Sequence, residues 1–115
     1  MSAKLTLHLG LATAVALAAL AASAPGLAAN TALKEVMKQM GRTATNDDAA
    51  GLVPLLTKAK SMKPADPAFA GWDAVADKVI AAAQSGDIKT AKATCKECHN
   101  RFRDDYRVKY GSKAP

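Results

Sequence analysis

The sequence predicts an all-α chain, an antiparallel four-helix bundle, on three observations. Four segments carry apolar residues at the three-and-four spacing of a helix face. Short stretches rich in proline, glycine and aspartate separate them, and no stretch alternates apolar and polar residues as a half-buried strand would. Four helical segments joined by short loops pack most simply as antiparallel neighbours.

The first helix is expected to be capped by Asn30 and to carry Leu33, Val36, Met37 and Met40 as its buried stripe, with Gly41 ending it. A second is expected from about Thr45 or Asn46, where Asp47 and Asp48 face its positive end, with Leu52, Leu55, Leu56, Ala59 and Met62 turned inward. Pro54 lacks an N–H and crowds the carbonyl of Ala50, which predicts a kink or a later start. After the breaker Lys63-Pro64-Ala65, Asp66-Pro67 reads as an N-cap with proline at the first helical position. The third helix is expected to run from there to about Ser85, burying Phe69, Trp72, Val75, Val79 and Ala83 before Gly86 caps it. Asp87 opens the fourth, whose inward positions Ile88, Ala91, Cys95, Cys98, Phe102 and Tyr106 lead to Gly111.

Residues 1–29 differ in composition and read as a signal peptide. Lys4 supplies the basic start, the run from Leu5 to Leu20 is largely apolar, and Pro25-Gly26-Leu27-Ala28-Ala29 offers a helix break before small residues suited to cleavage after Ala28 or Ala29. The competing expectation is an uncleaved membrane anchor. Removing 29 of the 115 residues leaves 86, residues 30–115, enough for one domain. A core that small benefits from a covalent staple. Of the 16 basic side chains only Lys4 lies in the leader, which leaves a net charge of +5 against the 10 acidic ones. That balance suits an acidic partner. The basic residues alternate with acidic ones and the chain has only two Phe, two Tyr and one Trp, so nucleic-acid binding is not expected.

Cys95-Lys96-Glu97-Cys98-His99 is a C-x-x-C-H sequence, the attachment motif of covalent haem. On a helix positions 95, 98 and 99 share one face, so two thiols can add across the haem vinyl groups while the imidazole reaches iron from the same side. A disulfide, a thioredoxin-type pair and a zinc site compete for the same residues. The first closes a tight ring, the second belongs in a βαβ setting and the third needs a fourth ligand. The chain has two histidines, and His8 lies in the leader. Once His99 is the proximal ligand the iron is five-coordinate or draws a sixth ligand from Met37, Met40, Met62 or a lysine.

A C-x-x-C-H motif in the last helix of a bundle resembles the class II c-type cytochromes, the cytochrome c prime family and its low-spin relatives. The resemblance spans the region after the leader. Its most specific parts are Cys95-Lys96-Glu97-Cys98-His99-Asn100-Arg101-Phe102-Arg103 and Val36-Met37-Lys38-Gln39-Met40-Gly41-Arg42. The resemblance implies one haem c on Cys95 and Cys98, His99 as proximal ligand, Met37 as sixth ligand with Met40 as fallback, and Arg103 beside the proximal face. It also implies a periplasmic electron carrier rather than an enzyme, meeting acidic redox partner proteins, with pairing into a homodimer through the first two helices. The high-spin members imply an alternative, a five-coordinate protein that binds nitric oxide or carbon monoxide. The first helix expected here is shorter than is usual in the family.

Overall fold

A computed structural model describes the backbone of residues 25–111 and the side chains of residues 30–111. The expected signal peptide therefore lies outside the described residues, apart from the backbone of residues 25–29. The described residues are all-helical, with α1 Pro25–Thr45, α2 Ala49–Ser61, α3 Trp72–Gln84 and α4 Ile88–Tyr110. A 3₁₀ turn, Pro67–Phe69, precedes α3. No helix among the described residues is long and apolar enough to cross a membrane.

The expected start and stop of the first helix both need correcting. Pro25 is its first residue rather than a break, a position where proline's missing N–H costs no hydrogen bond. Asn30 is consequently inside the helix and not its cap, and Gly41 does not end it. Thr43 and Thr45 donate their hydroxyls to the carbonyl oxygens of Gln39 and Gly41, so they finish α1 instead of opening the next helix. Leu33, Val36 and Met40 are buried as the spacing predicts, and Met37 packs partly buried beside them.

The cap of α2 is Asp48, whose carboxylate accepts the N–H of Gly51 at 2.9 Å. Asp47 turns the chain into it with a positive φ of 56°. Pro54 lies inside α2 and does not delay its start. Leu52, Leu56 and Ala59 are buried, while Leu55 and Met62 sit at the core margin.

The third predicted helix is interrupted. Asp66 does cap, accepting the N–H of Ala68 at 2.9 Å, but the turn it opens stops at Phe69 because Ala70 is extended and Gly71 has a φ of +90°. The short turn drops Phe69 fully into the core, and α3 restarts at Trp72. Its end follows the expectation. The N–H groups of Gly86 and Asp87 return to the carbonyls of Ala83 and Ala82, the two bonds of a Schellman motif. Asp87 then caps α4 through the N–H of Thr90 at 3.0 Å.

One apolar core takes residues from all four helices. At its centre Phe69 stands edge-on to Trp72 and to Tyr106, with ring centroids 6.1 and 5.9 Å away, and Phe102 lies 5.5 Å from Trp72. Successive helices from α1 to α4 pack on one another closely, whereas α1 meets α4 only sparsely. That loose seam holds the site.

Candidate functional site

Met37 and Met40 come from α1, and Cys95, Cys98 and His99 from α4. Each is placed by its helix period: 95, 98 and 99 fall within one turn of each other, and 37 and 40 likewise. The structure brings all five to one cavity in the seam, although Met40 and Cys95 are separated by two helices in the chain. The larger lobe has a cavity volume of about 150 Å³ and opens to solvent at its mouth. Its walls are Met40, Gly41, Ala44, Leu56, Ala76 and Val79, with Lys60 as the charged side chain among its lining residues. A smaller lobe shares Met37, Trp72, Cys98 and His99 and adds Leu33, Phe102, Arg103 and Tyr106.

The electrostatics of this seam favour neutral groups. Burial pushes both thiols up, Cys98 to about 11, with the neighbouring Cys95 and Glu97 adding to its shift. The imidazole of His99 is held below its ordinary value, first by burial against the cavity and then by the guanidinium groups of Arg103 and Arg107. His99 remains an exposed residue overall, so it sits at the mouth. At neutral pH the site therefore presents two thiols, two thioethers and an imidazole with a free lone pair.

Met37 is half-buried and lines both lobes, whereas Met40 is a core residue that also touches the larger one. Met62, at the end of α2, does not line the cavity. Arg103 lines the smaller lobe from an exposed position, and Phe102 is at once core and cavity wall. Cys95 and Cys98 lie in the middle of α4 as free thiols. A thioredoxin-type cysteine is instead activated by a depressed pKa, opposite to the shift here. No three of His, Cys, Asp and Glu among the described residues cluster as a metal-binding group, so a zinc site has too few ligands.

Sequence reasoning missed three wall residues. Trp72 was assigned to the core alone, yet it lines both lobes. Lys60 follows Ala59, an inward position, and its ammonium rests on Asp77 at 2.6 Å at the rim. Gly41 was assigned to a helix end, although its spacing of four from Met37 places it on the same face. The donor set and the apolar walls suit a largely apolar ligand held by sulfur and imidazole. Comparison of the chain with models of known protein families, with curated proteins and with solved structures finds no match.

Proposed function

We propose that the chain is an exported, periplasmic c-type cytochrome that carries single electrons, an antiparallel four-helix bundle resembling the low-spin relatives of cytochrome c prime. One haem c would be bonded to Cys95 and Cys98, with His99 and Met37 as the iron ligands. The supporting observation is that Met37 on α1 lines one apolar cavity with Cys95, Cys98 and His99 of the C-x-x-C-H motif on α4. When bound, haem supplies a one-electron couple whose potential a histidine and methionine pair raises relative to two histidines.

The chain's own residues then have definite tasks. Cys95 and Cys98 anchor, and because both thiols are neutral they carry no charge to be desolvated in the seam. His99 offers a neutral nitrogen at the mouth, and Met37 a polarisable sulfur from the opposite helix. Leu56, Ala76, Val79 and Trp72 exclude water. No residue is given the role of general base, so the reading is a carrier and not an enzyme.

An acidic redox partner fits the net charge of +5 left once the leader with Lys4 is removed. Five lysines are ion-paired, Lys60, Lys63, Lys78, Lys92 and Lys109. Arg42, Lys96 and Arg103 are among the basic residues outside these ion pairs, and so offer charge to a partner.

The test is expression in a host that matures such proteins, followed by mass spectrometry and absorption spectra of both oxidation states with and without carbon monoxide. A mass raised by one haem and a spectrum indifferent to carbon monoxide are expected. A bare polypeptide mass overturns the cytochrome reading. A haem mass with prompt carbon monoxide binding overturns only Met37 ligation and favours the gas-binding alternative.

A further inference from the structure

Of the five glycines from residue 30 onward, four have a reason within the protein itself. Gly71, Gly86 and Gly111 have positive φ. At Gly51 a Cβ would run into the capping carboxylate of Asp48. Gly41 has neither. Its φ is not positive, α1 continues four residues past it to Thr45, and a Cβ built there meets nothing within 4 Å. Glycine is the poorest helix former after proline, so any alanine or leucine here would favour the helix. The polypeptide alone gives no reason for this residue.

The cavity supplies one. Gly41 lines the larger lobe one turn after Met37, between Met40 and Ala44. We infer that Gly41 is the residue that lets the ligand lie against α1: its missing side chain keeps the wall of the larger lobe free, so that the flat group and the Met37 sulfur can both be accommodated. The inference rests on the cytochrome reading, since it takes that ligand as the occupant. Its consequence is a conflict between the unloaded helix, which is better off with a side chain at position 41, and the loaded protein, which is worse off.

The test compares Gly41→Ala and Gly41→Leu with the parent chain, each as the full chain with and without haem. Gln39→Leu serves as control, because Gln39 is exposed on α1 and its side chain bonds to Glu35 on the same helix rather than to the cavity. Without haem, both Gly41 variants should unfold at higher denaturant than the parent. With haem the order should reverse, more strongly for leucine, and the Gly41→Leu spectrum should lose the band of sulfur-ligated ferric iron. Gln39→Leu should keep the parent's loaded spectrum and show no reversal. Stabilisation of the same sign in both states with an unchanged spectrum overturns the inference while leaving the cytochrome reading intact. If Gly41→Leu fails to fold, the smaller reversal in Gly41→Ala decides. A parent chain without covalent haem overturns both.

Discussion

The indole N–H of Trp72 donates to the carbonyl oxygen of Ala59 at 3.1 Å, in buried surroundings. This bond fastens the first residue of α3 to the last turn of α2 across the Lys63-Pro64 breaker, and it fixes the plane of a ring that lines both lobes. The Ala59 carbonyl also receives the N–H of Met62, so it keeps a partner when the indole is removed. Trp72→Phe should therefore cost about 1 kcal/mol, a net hydrogen bond, and Trp72→Ala about 3–5 kcal/mol. Urea unfolding monitored by helicity would check both, and a Trp72→Phe chain as stable as the parent would show that the bond contributes nothing.

The two methionines of α1 should separate in their effects. Met40 is 9% exposed and part of the core, so Met40→Ala should lower stability by about 2 kcal/mol or more, toward the low end because one side of it already faces the cavity. Met37 is only half-buried, and Met37→Ala should cost less in the haem-free chain while changing the spectrum of the loaded one. The reverse pattern, with the spectrum following Met40, would move the ligand one turn along α1.

The cap of α4 sets part of the acid limit. The carboxyl of Asp87 is held below its ordinary 3.8 by its hydrogen bonds with Thr90. A folded pKa below the unfolded one means stability that is present above pH 3.8 and lost as pH falls through the folded value. Asp66 acts in the same direction, through Lys109 and the N–H of Ala68. Asp87→Asn keeps an acceptor, so it should unfold like the parent at neutral pH but lose less on acidification. Thermal midpoints from about pH 2 to 7 would read this, and parallel curves would refute it.

Thiol chemistry gives a check independent of haem. With Cys98 pushed up to about 11 by burial, against an ordinary 9.0, its thiolate at neutral pH is scarcer by about a hundredfold. In the haem-free chain Cys98 should thus alkylate on the order of a hundred times more slowly in buffer than in urea. Alkylation at equal rates would mean that α4 does not shelter this thiol.

The helices and most of the core could be read from the chain because local rules determine them. Asp87 followed by a three-and-four stripe marks α4, and Gly86 marks the end of α3 by the one conformation a capping residue there must adopt. The misread boundaries are those where two signals compete. At Gly41 weak helix propensity loses to the buried stripe on either side of it, and at Asp66-Pro67 a strong start signal is cut short by Gly71 four residues later. The cysteines and histidine declared themselves by spacing. Their meeting with Met37 depended on which helices become neighbours, which no local rule states, and the place of Trp72 and Lys60 on the cavity wall is of the same kind.

The sparse meeting of α1 with α4 has a mechanical meaning. A slab clamped along one edge bends more readily than one clamped along two. The amides of α1 should exchange with solvent sooner than those of α3, whose neighbours grip it from both sides, and whatever fills the seam should act as the second clamp. Residues that face the seam from α1 can then vary to retune the occupant, while the frame built by the other three helices stays as it is.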